Sequence, residues 1–323
     1  MYTLSHLGVT ALELQVQPMR VQPPISSSGT RTAFRPMWCA PSFSLDPKAP
    51  DTQRLDFVGV DGAFLLKDVL SRSEAARMLA MTEKIGFDRD DSMEMAGRRN
   101  CALSWVFHDE LERQVARRMA PLLPWGVAVH GPGTLAPDPE RLPSLSGLAP
   151  WVRQIGGVPE GLYILDGLNC RMRVYRYESD DADRFLPHHD EVWPGSRLVL
   201  SADGEPTLQQ DGWQYAAPPH EDAWAWAEGD RVSHLTVLLY LNDDFEGGET
   251  VLYPGAHADE TPVDGIAVQP IAGSALCFGQ SFKFNRDGVD HSVDALLHEG
   301  APVASGSPKY VIRTDVCYTL PAR

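Results

Sequence analysis

The sequence predicts an α+β protein in which N-terminal helices flank a barrel of short antiparallel strands, the double-stranded β-helix or jelly roll. Three observations predict it. Helix-type periodicity marks residues 71–86 and 109–120. Strand alternation replaces it in HLTVLLYLNDDFEGGETVLYP at 234–254 and in KYVIRTDV at 309–316, and GSALCF at 273–278 is a short apolar run bounded by Gly. Several short antiparallel strands in succession are what a jelly roll supplies.

Taken in order, residues 1–56 read as an arm or leader. They hold Pro23-Pro24, Ser26-Ser27-Ser28-Gly29 and, before position 52, only three acidic residues, Glu13, Asp46 and Asp51. A flexible or docked arm is the expectation, with a transit peptide over residues 1–45 as the alternative, because no apolar signal core or long basic amphipathic helix is present. Residues 57–160 are expected to form a helical annex and connection. Ser71 and Glu74 make a capping box, Ala75, Met78, Leu79 and Ile85 follow at helical spacing, and Gly86 ends the run. A second helix over 109–120 carries Leu111, Val115 and Met119 on one stripe and Arg113, Arg117 and Arg118 around the other, before Pro121. Both stripes are expected to pack on the sheet. Residues 125–160 are a Pro- and Gly-rich connection, and residues 161–323 form the barrel core.

Within 234–254 the chain should run as a strand, turn at Gly247-Gly248 and resume as a second strand. Thr236, Leu238 and Tyr240 share one face of the first strand, and Leu235, Val237, Leu239 and Leu241 share the other. In the last strand Lys309, Val311 and Arg313 face one way and Tyr310, Ile312, Thr314 and Val316 the other. A cation facing into a barrel needs a negative partner, and a dicarboxylate would serve. Residues 192–231 interrupt the core with Trp193, Trp213, Tyr215, Trp224 and Trp226. A loop of that length is functional or disordered as a rule. It leaves directly from the His-x-Asp segment, so it is read either as a cover for the active-site mouth or as external packing.

The chemistry is carried by His188-His189-Asp190 and, more than a hundred residues later, His298. Residues two apart in an extended segment point the same way, so His188 and Asp190 can grip one ion while His298 closes the triangle from another strand. Two imidazoles and one carboxylate on one face leave the opposite face free, which suits ferrous iron that must also bind a cosubstrate and dioxygen. A His-x-Asp pair alone is a weak signal. His189-Glu191 and His257-Ala258-Asp259 have similar form, and His291 rivals His298, although it lies in the polar, turn-rich RDGVDHSVD without a basic strand after it.

FLPHHD at 185–190, LTVLLYLNDDFEGGET at 235–250, GSALCF at 273–278 and LLHEGAPV with GSPKYVIRTDV across 296–316 resemble the prolyl 4-hydroxylase-like branch of the iron(II) and 2-oxoglutarate dioxygenases, over roughly residues 57–320. The resemblance implies Fe(II) held by His188, Asp190 and His298, with 2-oxoglutarate and O2 as cosubstrates and ascorbate left open as an auxiliary reductant. It implies that Lys309 binds the distal carboxylate of 2-oxoglutarate, that Tyr240 hydrogen-bonds the same group, and that Tyr177 lines the cosubstrate side. Two departures stand out. Lys309 lies eleven positions after His298, one more than the family's usual spacing, with Ser307-Pro308 just before it, which leaves Arg313 as a substitute anchor; and ESDDADR adds residues between Tyr177 and His188. The implied activity is hydroxylation of an unactivated C–H bond, with succinate and CO2 as coproducts. Retention of Asp190 favours hydroxylation over halogenation, since related halogenases lack this carboxylate to make room for chloride. A free amino acid or other small metabolite is the expected substrate, a peptidyl residue the alternative, and a non-catalytic jelly-roll binding protein the third reading.

Composition agrees with an enzyme of this kind. A chain of 323 residues with 43% hydrophobic content can bury a full core. A net charge of −16 argues against a phosphate-backbone partner, and no apolar run approaches the length that spans a bilayer. Cys39, Cys101, Cys170, Cys277 and Cys317 form no CxxC pair and leave one over, which fits a reduced compartment, and a cytoplasmic location is expected. Cys170, Cys277 and Cys317 read as small core residues.

Overall fold

A computed structural model describes residues 16–23, 36–60, 62–89, 97–130, 152–153, 161–179, 183–190, 195–211, 213–215, 224–226, 231–255, 264–280 and 296–321. The protein is mostly β, with two α-helices among the described residues. A large sheet of 13 strands runs, along its main path, through Met19–Val21, Met37–Cys39, Cys101–Val106, Arg171–Tyr177, Lys309–Thr319, Arg231–Tyr240, Ala275–Gly279, Ala63–Lys67 and Gln53–Asp56. A smaller sheet runs through Ile266–Val268, Thr250–Tyr253, Leu297–Gly300, Arg184–His188 and Arg98–Arg99. Pairing is antiparallel apart from Met37–Cys39 beside Cys101–Val106 and Gly126–His130 beside Val152–Arg153.

Period-two alternation explains how the large sheet is covered. Leu235, Val237, Leu239, Ile312 and Val316 point to one face, where they join Ala75, Met78, Leu111, Val115 and Met119 of the two helices in one core cluster. Tyr177, Tyr240, Leu276, Phe278 and Val311 point to the other, toward Leu252 and Val268 of the smaller sheet. The first helix, Arg72–Ile85, starts at Ser71 with both hydrogen bonds of the capping box and stops at Gly86, whose φ is 93°. The second, Asp109–Met119, has acidic residues in its first turn and Arg117 and Arg118 in its last, each favourable to the helix dipole. Glu74 ties these parts together. It is fully buried, takes a two-pronged bond from Arg118 at 2.8 and 2.9 Å, and accepts from the amides of Ser71 and Asp46.

Two features differ from what local pattern suggests, and a third decides between two expectations. The turn at Gly247-Gly248 closes no hairpin: Arg231–Tyr240 pairs with Ala275–Gly279 and Lys309–Thr319, whereas Thr250–Tyr253 pairs with Leu297–Gly300 and Ile266–Val268. The chain therefore crosses from one sheet to the other at this bend. Gly247 and Gly248 have φ of 74° and 67°, and a Cβ on Gly248 would stand 2.9 Å from Phe245, so both conformation and crowding call for glycine. Second, residues 57–160 give the large sheet strands as well as contributing the helices, because Ala63–Lys67 and Cys101–Val106 are largely apolar and pair on both edges. Third, the described parts of the N-terminal arm are docked: Met19–Val21 and Met37–Cys39 are sheet strands and Phe43 and Leu45 enter the core.

The insertion begins with a hairpin, Gly195–Leu200 with Pro206–Asp211. Its Leu208 and Leu198 pack on Val21, Met37, Cys39, Val106 and Cys170. This half is external packing against the N-terminal arm. Trp213–Tyr215 and Trp224–Trp226 pair as a second short hairpin, while Trp193 lies outside the described residues. All five cysteines are buried thiols. Among the described residues no helix is long and apolar enough to cross a membrane.

Candidate metal centre

Register brings the two histidines together. Arg184–His188 pairs antiparallel with Leu297–Gly300 so that His188 stands opposite His298, after an irregularity that follows Phe185. Their ring centroids are 4.2 Å apart. Phe185 stacks on His188 at 3.5 Å and Phe278 leans on His298 at 4.3 Å, so both imidazoles are fixed by aromatic neighbours. Asp190, two residues on, turns its carboxylate to both: Oδ1 lies 3.8 Å from His188 Nε2 and Oδ2 lies 3.8 Å from His298 Nε2. One ligand atom from each of the three residues falls within 4.8 Å of the others.

The hydrogen bonds around these groups suit a cation. His188 Nδ1 is 2.7 Å from the Leu186 carbonyl and His298 Nδ1 is 3.1 Å from the Leu296 carbonyl. A carbonyl can only accept, so each Nδ1 carries the proton and each Nε2 lone pair points inward. Burial, reinforced by His298, holds His188 well below the usual imidazole range, and burial lowers His298 against the opposing pull of Asp190. Both rings are thus neutral ligands. Two neutral imidazoles and a carboxylate on one side of an open space fit a divalent ion with vacant positions, the donor set of non-haem ferrous sites.

That space is a cavity between the two sheets, about 400 Å³ with its mouth included. Beyond the triad, its walls include Tyr175, Tyr177, Phe185, Thr250, Lys309 and Arg313. Lys309 is 3% exposed, donates to the Gly248 carbonyl at 2.6 Å and lies over the rings of Tyr177 and Tyr240 at 5.4 and 5.6 Å. Desolvation brings it down to about 7, opposed by Glu249. A buried cation of this kind is a receptor for an anion. Arg313 sits nearer the triad, its Nε donating to Asp190 Oδ2 at 3.1 Å.

The structure therefore brings His188, Asp190, His298, Tyr177, Lys309 and Arg313 to one cavity. Tyr240 stands one layer back: its hydroxyl is 2.8 Å from Thr250 Oγ1, and Thr250 faces the cavity. His291, His257, Asp259 and Glu191 lie outside the described residues. Thr250, Phe185, Tyr175, Glu299 and Gly300 are wall residues that sequence pattern does not single out. Alternation in TVLY, which sets Thr250 and Leu252 on one face, was the available signal for Thr250.

Residues 207–314, which contain His298, Lys309 and Arg313, match the family described as the 2OG-Fe(II) oxygenase superfamily. No curated protein matches the chain. Among solved structures, a Pseudomonas putida prolyl-4-hydroxylase aligns with 13% identity over 81% of this chain and 94% of its own, at a TM-score of 0.40. A viral collagen prolyl hydroxylase from Paramecium Bursaria Chlorella virus-1, in complex with 2OG, gives 14%, 84%, 97% and 0.37 in the same order. A Trichoplax adhaerens prolyl hydroxylase in complex with a hypoxia inducible factor peptide fragment gives 15%, 79%, 83% and 0.40.

Proposed function

We propose that the chain is a prolyl 4-hydroxylase-like dioxygenase, built on a double-stranded β-helix, that hydroxylates an unactivated C–H bond and converts 2-oxoglutarate to succinate and CO2. The observation that carries the proposal is the placement of a neutral two-histidine, one-carboxylate set and a buried lysine on the walls of one cavity. His188, Asp190 and His298 would hold Fe(II). With 2-oxoglutarate and O2, iron supplies the oxidising power for C–H hydroxylation. Lys309 would bind the distal carboxylate of 2-oxoglutarate, Tyr177 would pack beside it, and Tyr240 would support it through Thr250. Ascorbate as an auxiliary reductant belongs to the same proposal.

The substrate we propose is a free amino acid or comparable small metabolite. Tyr175, Phe185 and Leu238 wall the space beside the triad that the cosubstrate and substrate would share, which favours a small molecule. Anaerobic addition of Fe(II) and 2-oxoglutarate should give the visible metal-to-ligand charge-transfer band, and His188→Ala, Asp190→Ala and His298→Ala should each abolish it. A band that survives His298→Ala and disappears in His291→Ala would overturn the third-ligand assignment. Substrate-dependent succinate release, screened over amino acids and short peptides, then decides the substrate class.

A further inference from the structure

Asp190 offers two oxygens, and one of them is already taken. Oδ2 accepts from Thr236 Oγ1 at 2.7 Å and from Arg313 Nε at 3.1 Å. A carboxylate oxygen has two lone pairs in its plane, so two donors saturate it. Each oxygen lies 3.8 Å from one ligand histidine, Oδ1 from His188 Nε2 and Oδ2 from His298 Nε2, so the two donors on Oδ2 are what distinguish them. We infer that Thr236 and Arg313 are positioning residues that clamp Oδ2 of Asp190 and leave Oδ1 as the single oxygen presented to the metal. The inference rests on the triad being the metal site.

The two donors are themselves held from behind. Thr236 and Asp315 are direct partners across neighbouring strands, as are Leu238 and Arg313, so the last strand and Arg231–Tyr240 set both donors in one register. Gln280 Nε2 donates to Thr236 Oγ1 at 3.0 Å, which turns the threonine proton toward Asp190, and to Asp315 Oδ1 at 2.6 Å. Ser233 Oγ donates to Gln280 Oε1 at 2.7 Å and fixes the amide's orientation. Arg313 NH1 lies 3.4 Å from the same Asp315 oxygen. Asp315 is 1% exposed and Gln280 is 2% exposed, so water does not compete for these bonds. A chain of buried groups thus ends on one oxygen of one ligand. It also gives Arg313 a task distinct from that of Lys309: Arg313 serves the metal ligand, and Lys309 remains available to the cosubstrate.

The test separates metal affinity from cosubstrate affinity. Mn(II) binding to the full chain is measured by electron paramagnetic resonance of the free ion, and 2-oxoglutarate binding is measured at saturating Mn(II). Arg313→Gln and Thr236→Val should each weaken Mn(II) binding, by roughly ten- to hundredfold as for other partners of metal ligands. Thr236→Ser, which keeps the hydroxyl, should bind Mn(II) as the parent does, and Lys309→Met should keep Mn(II) and lose 2-oxoglutarate. Parent-like Mn(II) binding in Arg313→Gln with loss of 2-oxoglutarate would make Arg313 the cosubstrate anchor and overturn the inference. Parent-like Mn(II) binding in both Arg313→Gln and Thr236→Val would overturn it as well. Should Arg313→Gln fail to fold, the Thr236→Val and Thr236→Ser pair decides alone, since valine matches threonine in size. His298→Ala is the control: if it leaves Mn(II) binding intact, the metal-site reading itself fails, a result distinct from failure of the clamp.

Discussion

Replacing Lys309 by Met should make the ligand-free protein more stable while abolishing its affinity for 2-oxoglutarate. The magnitude follows from burial. Desolvation takes the amine from its ordinary 10.5 to about 7. The unfolded chain therefore binds one more proton than the folded chain between these values, and stability rises with pH across that window. At pH 6.5 the folded protein carries nearly the whole penalty, about 4–5 kcal/mol; at pH 9.5 about 1–2 kcal/mol remains. Met removes the penalty and also the 2.6 Å bond to Gly248, a charge-assisted bond of about 1.5–3 kcal/mol and nearer 1 when the amine is neutral. The net gain is then about 2 kcal/mol at pH 6.5 and close to zero at pH 9.5. Urea unfolding of Lys309→Met and the parent at the two pH values measures it. Equal destabilisation at both would show that Lys309 bears no buried charge. Cosubstrate binding runs the other way: a bound dicarboxylate favours the charged amine, so parent affinity for 2-oxoglutarate should decline as pH rises through about 7. Titration of 2-oxoglutarate at constant metal checks that sign.

Three further outcomes test the frame around the site. Glu74→Ala should cost about 3–5 kcal/mol in urea melts, because it strands the buried Arg118 guanidinium. Burial alone would raise the Glu74 carboxyl, but the bonds from Arg118, Ser71 and Asp46 outweigh it and hold the group below its usual range. Its contribution should therefore be complete above pH 4.5 and lost as pH falls through the lower folded value, as an acid-denaturation series would record. Gly273→Ala should destabilise the fold by at least 3 kcal/mol or so, since φ is +86° and the new Cβ would stand 2.2 Å from the Leu70 carbonyl; soluble protein of parent stability would refute this. Leu208→Ala should cost about 2–5 kcal/mol with unchanged Mn(II) and 2-oxoglutarate binding, because the first hairpin of the insertion packs on the N-terminal arm. A shift in the ratio of succinate to product without a change in stability would restore that hairpin as a cover for the active site.

Local sequence was enough wherever one element settles its own geometry. The Ser71 and Glu74 box and Gly86 delimit the first helix, because cap hydrogen bonds and left-handed φ are satisfied within a few residues. Alternation assigned Lys309, Val311 and Arg313 to the cavity face and Tyr310 and Ile312 to the core, because pleating has a period of two whatever the partner strands are. His188 and Asp190 also share a side, although the strand itself ends at His188. Tertiary structure alone decided what depends on strands far apart in sequence. It set His298 opposite His188 by register, sent the chain across sheets at Gly247-Gly248 where a hairpin would have kept it in one, and placed Tyr240 behind Thr250. It also gave Arg313 to Asp190 and Lys309 to the Gly248 carbonyl, although the two cations share a strand face and read alike in the sequence. They stand four residues apart, roughly 13 Å along a strand, so one face carries each cation to a different partner, and only the folded arrangement says which.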